Sequence, residues 1–408
     1  MTDSKVKLAR NLNSVIAANV ACGMANLFAL GWFARVLGPG TMGDYAVVST
    51  GVQLIAAFLS AGFDQAVIRM PSDRSLVAAA ALATFGQSLS LVASSVAVYS
   101  IAAAVYPEAS TTLLGPAAIV VAAVVISMFA NLHAAPLAAR MDYGFLALAR
   151  VAALAIGLGC GLAIAFSDQS AYALAFRDAV SAVVMLALCR ARLGESLPWR
   201  TNGEALKRLF DFGKSLWALN VTERLVLRLD YGIVGVLLGR EAVGAYFVVR
   251  GLIEGVLGFL VQPVQTVLYA YYCRVNDGGY RNPLDSANVT GLYVLVCLGF
   301  AAVSWIAGPS VARAVVGAAY VGASSVLPAL VVYSGAILWF ENQKVFAIAR
   351  GVHRHFVGPR LVQLAMAAAL IAPAVKVWGM VGASVATALG AVVLAIMATA
   401  FSGIETKR

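Results

Sequence analysis

Six charged residues stand close together within two consecutive apolar runs. FGKSLWALNVTERLVLRLDYGIVGVLLG, residues 212–239, carries Glu223, Arg224, Arg228 and Asp230, and the next apolar run adds Arg250 and Glu254. On a helix Arg224 and Arg228 share a face at i,i+4, as do Arg250 and Glu254, while Glu223 and Asp230 stand seven apart on another. A guanidinium can take a phosphate group bidentately. The arginines therefore suit a diphosphate, and Glu223, Asp230 and Glu254 suit the coupling of an ion or proton. The alternative is internal pairing, Arg250 with Glu254 and Arg228 with Glu223 or Asp230. A charge at mid-bilayer costs about 3 kcal/mol on insertion scales, so the cluster needs one of these reasons.

Polar residues in other apolar runs are less specific. Asn19 and Asn26 lie seven apart in the first, with Gln53 and Asp64 in the second. Their groups suit sugar hydroxyls and suit helix–helix hydrogen bonds equally. Arg177 and Asp178 form another intramembrane pair, about eight residues from the end of their run, where snorkelling to the interface is expected. Glu341 and Lys344, at i,i+3, are expected to pair. Cys22, Cys160, Cys189, Cys273 and Cys297 occur singly, and His133, His353 and His355 form no cluster with them. Neither a disulfide framework, a metal site nor a cofactor is expected. DDxxD, nucleophile-elbow, HExxH and phosphate-loop patterns are missing, so an enzyme is not expected.

The elements that position these residues are legible in the composition. Of 408 residues 61% are hydrophobic and 12% charged, with a mean hydropathy of +0.86. A soluble domain carries about 25% charge, so a soluble enzyme, a disordered chain and a coiled coil are excluded. Apolar runs long enough to cross a bilayer, about 20 residues each, recur at about 13–34, 43–63, 79–104, 113–136, 147–166 and 170–189. Six more follow at 215–237, 243–270, 288–308, 325–347, 358–377 and 380–401. Their all-round hydrophobicity excludes a membrane β-barrel. An all-α polytopic membrane protein of about twelve helices is expected.

Lysine and arginine set the orientation. With the amino terminus in the cytoplasm, 19 fall in inner loops, and only Arg35, Arg240, Arg313 and Lys376 in outer ones. Both termini are thus expected inside, and the net charge of +10 needs no nucleic-acid partner. MTDSKVKLAR is polar, and the apolar run Ser14–Phe33 that follows is too long for a signal peptide. It reads as the first membrane helix.

The polar stretch 193–212 separates residues 1–192 from residues 213–408, two bundles of six helices. VLGPGTMGDYAVV (36–48) aligns with LLGREAVGAYFVV (237–249) at an offset of 201, and Gly38/Gly239, Gly43/Gly244 and Tyr45/Tyr246 are among the identities. The glycines suit a tight interhelical turn and the tyrosines an interfacial aromatic belt. Six helices is an even number, so the halves are expected to be parallel, pseudo-symmetric repeats.

RVLGPGTMGDYAVVSTGVQLIAAFLSAGFDQAVIR (35–69) resembles the amino-terminal signature of bacterial polysaccharide repeat-unit flippases (O-antigen and exopolysaccharide), in the multidrug/oligosaccharidyl-lipid/polysaccharide flippase superfamily. The resemblance continues through Phe212-Gly213, RLDYGIVGVLLGREAVGAYFVV (228–249), VVGAAYVGASSVLPAL (315–330) and WGMVGASVATALG (378–390). The two additional helices common in the peptidoglycan-precursor branch are not expected after the twelfth. The resemblance implies a MATE-like, V-shaped transporter whose halves expose a central cavity alternately to each side. It further implies flipping of polyprenyl-diphosphate-linked oligosaccharides across the bacterial inner membrane, with membrane lipids, a polymerase and other assembly proteins as partners. On that view Arg224, Arg228, Arg250, Asn19 and Asn26 bind substrate. A multidrug exporter of the same superfamily is the nearer rival, and such exporters usually hold apolar cations with aromatics and acids. A membrane glycan polymerase or ligase generally needs a large outer loop. The longest here, about 309–324, has Arg313 as its one charge.

Overall fold

The computed structural model describes residues 2–59, 62–69, 73–105, 107–140, 142–168, 170–194, 197–255, 287–349 and 356–405. Cys273, His353, His355 and the basic residues Arg274, Arg281, Arg350, Arg354, Lys407 and Arg408 lie outside them. The described elements are α1 (Thr2–Leu59), α2 (Phe63–Arg69), α3 (Arg74–Val105), α4 (Pro107–Ala139), α5 (Tyr143–Ser167), α6 (Tyr172–Leu193) and α7 (Gly203–Leu238). Residues 240–255 are helical and form α8. Then come α9 (Ala287–Val315), two 3-10 turns at Ala318–Tyr320 and Gly322–Val326, α10 (Leu327–Ala349) and α11 (Val357–Glu405).

Two of these helices are bent. In α1 Gly38 takes φ 72 and is followed by Pro39, and in α11 Gly379 takes φ 58. Glycine alone adopts positive φ without steric cost, and proline is preset for the first turn of the next limb. Among the described residues eight helices are long and apolar enough to cross a membrane. The bends divide two of them into paired limbs, and α7 is a further long helix that carries the charged residues. The protein is an all-α polytopic membrane protein.

The second expected span ends four residues earlier than the sequence implied, at Leu59. Gly62, with φ 66, turns the chain after Leu59, and Phe63–Arg69 forms a helix of its own. Asp73 then starts α3, its Oδ1 accepting the backbone N–H groups of Ser75 and Leu76, both at 3.1 Å. Arg208 of α7 pairs with the same carboxylate at 3.2 Å, and the Thr201 hydroxyl donates to the Ser75 carbonyl. The starts of α3 and α7 are thereby tied together.

The described chain forms two compact units, Met1–Cys22 with Asp44–Leu225, and Gly23–Gly43 with Val226–Arg408. In the first, α6 packs on α4 and α5, with Gly157 of α5 close against the Arg177 carbonyl and Ser181 of α6. Small residues permit such backbone approach in lipid. Phe63, Leu76, Leu132, Leu197 and Leu209 fill a core between α2, α3, α4 and α7.

In the second unit the first limb of α1 packs on α8 and α9. A Cβ on Gly255 would meet Leu27 Cδ2 at 2.6 Å, and one on Gly31 would meet the Val315 carbonyl oxygen at 2.7 Å. The Tyr320 hydroxyl donates to the Ala34 carbonyl at 3.0 Å, and Arg35 donates to that of Ala314. Gly43 stands against the Arg240 carbonyl and Gly244 against that of Pro39. Each contact maps onto the other through the offset of the sequence repeat.

Candidate functional site

The first unit holds a cavity of about 410 Å3. Its polar wall is built from residues at helical spacing. Tyr45, Ser49 and Gln53 come from the second limb of α1 at i, i+4 and i+8, and Ser127 and Asn131 from α4 at i,i+4. Arg150 comes from α5, and Asp178 and Ser181 from α6. At 1.5 Å rise per residue the α1 stripe runs about 12 Å along the helix. Tyr45 and Asp178 mark one end, while Gln53, Asn131 and Arg150 lie nearer the other.

Arg177 and Asp178 do not simply snorkel. Arg177 donates through Nε and Nη2 to Asp178 Oδ1 at 2.9 and 2.7 Å, and the Tyr45 hydroxyl donates to Oδ2. A carboxylate this well satisfied is stable within the wall. Arg150, one of the 19 basic residues that the charge bias places on the cytoplasmic side, lies inside α5 and is exposed on the cavity. Of these wall residues only Gln53 was singled out from the sequence as a candidate ligand. The i,i+4 recurrence of Ser127 and Asn131 within an apolar run was the available signal.

The second unit holds the charge cluster of α7 and α8. Asp230 is 0% exposed and Arg250 1%. The two form an ion pair, and Arg250 Nε also reaches Glu254 Oε1 at 2.8 Å. The Tyr246 hydroxyl donates to Asp230 Oδ2 at 2.8 Å, and the Tyr231 backbone N–H to Oδ1 at 2.9 Å. Tyr231 and Tyr333 present their rings to the guanidinium at 4.9 and 5.2 Å. A buried ion pair needs such added partners to offset desolvation. Asp230 thus pairs with Arg250, not with Arg228.

The remaining sequence candidates are placed differently. Arg228 is half-buried, its guanidinium 5.5 Å from the Tyr231 ring. Arg224 is exposed and Glu223 half-buried, both on the first-unit part of α7. Asn19 is half-buried and Asn26 exposed on α1. The structure brings together Asp230, Arg250 and Glu254, with Arg228 beside them. Asn19, Glu223 and Arg224 are outside the cavity wall.

Two further expectations met the structure with different results. Glu341 does pair with Lys344, at 2.5 Å, and Arg360 joins it at 2.9 Å. Tyr45 and Tyr246, expected in an interfacial belt, are instead 5% and 0% exposed. A buried phenol needs a hydrogen-bond acceptor, and an aspartate supplies it in each case.

The fold is similar to that of known transporters. A multidrug resistance MATE family transporter of the MOP superfamily, in an inward-facing conformation, aligns at TM-score 0.67 and 16% identity, over 96% of this chain and 98% of that one. The lipid II flippase MurJ, in an inward closed conformation, aligns at TM-score 0.75 and 10% identity, over 97% and 87%. A MOP superfamily transporter from Pyrococcus furiosus aligns at TM-score 0.64 and 16% identity, over 97% and 95%. No curated protein matches the chain. A family model described as polysaccharide biosynthesis protein does match, over residues 32–325, and by that match the chain belongs to the polysaccharide biosynthesis protein family.

Proposed function

We propose that the protein flips polyprenyl-diphosphate-linked oligosaccharide repeat units from the cytoplasmic to the outer leaflet of the bacterial inner membrane. The observation that carries this reading is the polysaccharide-biosynthesis match across residues 32–325 on a chain with a flippase-type fold. The halves 1–192 and 213–408, joined by 193–212, act as the repeats that move, with both termini in the cytoplasm. The protein acts as a carrier and performs no chemistry on the glycan. It hands the flipped unit to a polymerase and other assembly proteins.

Arg224 and Arg228, at i,i+4 on α7, meet the diphosphate in this reading. Arg250 contributes through the network it forms with Asp230 and Glu254. Asn19 and Asn26 contact sugar hydroxyls. Glu223, Asp230 and Glu254 are the candidate coupling carboxylates. Of the two carboxylates that Arg250 holds, Glu254 is the one with an exposed side chain, at 38%.

The test is loss of the protein in its own cell, followed by lectin labelling of lipid-linked glycan on intact cells and on lysed cells. Flipping predicts that surface polysaccharide falls while glycan reachable only after lysis accumulates. Unchanged polysaccharide, with increased sensitivity to cationic drugs, overturns the reading in favour of an exporter.

A further inference from the structure

Arg150 is a charged residue of the cavity wall in the first unit. Asp178, the carboxylate in the same wall, is already held by Arg177 and Tyr45. Among the described residues no hydrogen bond or ion pair engages the Arg150 guanidinium, which stays exposed on the wall. The cavity is therefore neutral at the Tyr45 end and positive toward the Arg150 end. Around that charge stand the amides of Gln53 and Asn131, with the hydroxyls of Ser49, Ser127 and Ser181 farther along. A guanidinium fork with amides and hydroxyls matches a carboxylate on a polyhydroxylated ring. The volume of about 410 Å3 lies within the range of small-molecule pockets, roughly 300–1,000 Å3.

We infer that this cavity is a subsite for an acidic sugar, a uronic acid or another carboxylate-bearing residue of the transported glycan, and that Arg150 reads its carboxylate. The inference rests on the transport function proposed above and adds the substrate class: anionic repeat units. Helical rise places Arg150 about 10 Å from the start of α5, the end that the charge bias assigns to the cytoplasm. An anionic sugar arriving from the cytoplasm meets the positive end of the cavity first.

The full-length protein in nanodiscs, titrated with glucuronate, glucose and inorganic pyrophosphate, tests this. Glucuronate should bind wild type more tightly than glucose. Arg150→Gln should weaken glucuronate by at least about tenfold, as loss of a hydrogen bond to a charged group implies, and leave glucose unchanged. Arg150→Lys should retain part of the preference. Equal binding of glucuronate and glucose to wild type overturns the inference and needs no variant to be folded. So does a preference for glucuronate that survives Arg150→Gln. An Arg150-dependent response to pyrophosphate alone assigns the charge to the diphosphate and also overturns the acidic-sugar subsite. Failure of the transport reading is seen separately, as surface polysaccharide that persists without the protein.

Discussion

Gly43 and Gly244 face each other across a reciprocal contact. A Cβ on Gly43 would collide with the Arg240 carbonyl oxygen, and one on Gly244 with that of Pro39. These are backbone atoms in the turns that begin at Gly38 and Gly239, whose φ values are 72 and 88, so no side chain can rotate away. Alanine at either position must push the two turns apart. Overpacking of this kind costs about 1–3 kcal/mol. Gly43→Ala and Gly244→Ala should each lower the unfolding temperature in detergent and the amount of protein in the membrane. The double substitution should cost less than the two effects added, because one separation relieves both collisions. Strict additivity would show that the glycines do not share a contact.

The same pair shows what the sequence makes legible. Helices, their approximate number and the repeat are written in hydropathy and in a short identity string, because bilayer thickness and turn geometry act locally on the chain. The packing of residues 23–43 with α8 and α9 was not legible, since it depends on which helix approaches Gly31 and Gly255. Within the charge cluster, Arg250–Glu254 is a spacing of four and could be named in advance. Asp230–Arg250 joins two helices, and spacing alone left Asp230 open to Arg228. Arg150 was hidden for a similar reason: a basic residue near a helix start counts toward topology, and only the surrounding helices give it a cavity.

Acid should loosen the start of α3. Hydrogen bonds hold the Asp73 carboxyl below its ordinary value of 3.8, the Ser75 hydroxyl first, with the Leu76 N–H and Arg208 adding to it. A depressed carboxylate stabilises the fold above its unfolded pKa, and that contribution is lost as pH falls through the folded value. The stabilising effect is therefore complete at neutral pH and declines below about pH 4. Asp73→Ala removes a helix cap, worth about 1 kcal/mol. Hydrogen exchange of the first turn of α3 in detergent should rise in this variant at pH 7. The variant should also show less additional change than wild type between pH 5 and pH 3. An identical acid response in both would mean that Asp73 does not titrate with the fold.

Arg250 and Arg224 should fail in different ways. Asp230 is 0% exposed, and Arg250 is its ionic partner. Among the described residues, Arg250→Ala leaves that carboxylate with Tyr246 and the Tyr231 N–H as donors. Removing one member of a buried pair costs about 3–5 kcal/mol, a large share of the about 5–15 kcal/mol that holds an ordinary protein folded. The variant should therefore accumulate poorly in the membrane. Adding Asp230→Asn should restore abundance, because the unpaired charge is then gone. Arg224 is exposed, so Arg224→Ala should accumulate normally and, if it meets the diphosphate, reduce polysaccharide output. Arg224→Lys should recover part of that output, keeping the charge but losing the fork. Membrane abundance and surface polysaccharide, measured side by side for these four variants, separate a structural arginine from a substrate-binding one. Normal abundance of Arg250→Ala would contradict the buried pair, and full output from Arg224→Ala would remove Arg224 from the substrate path.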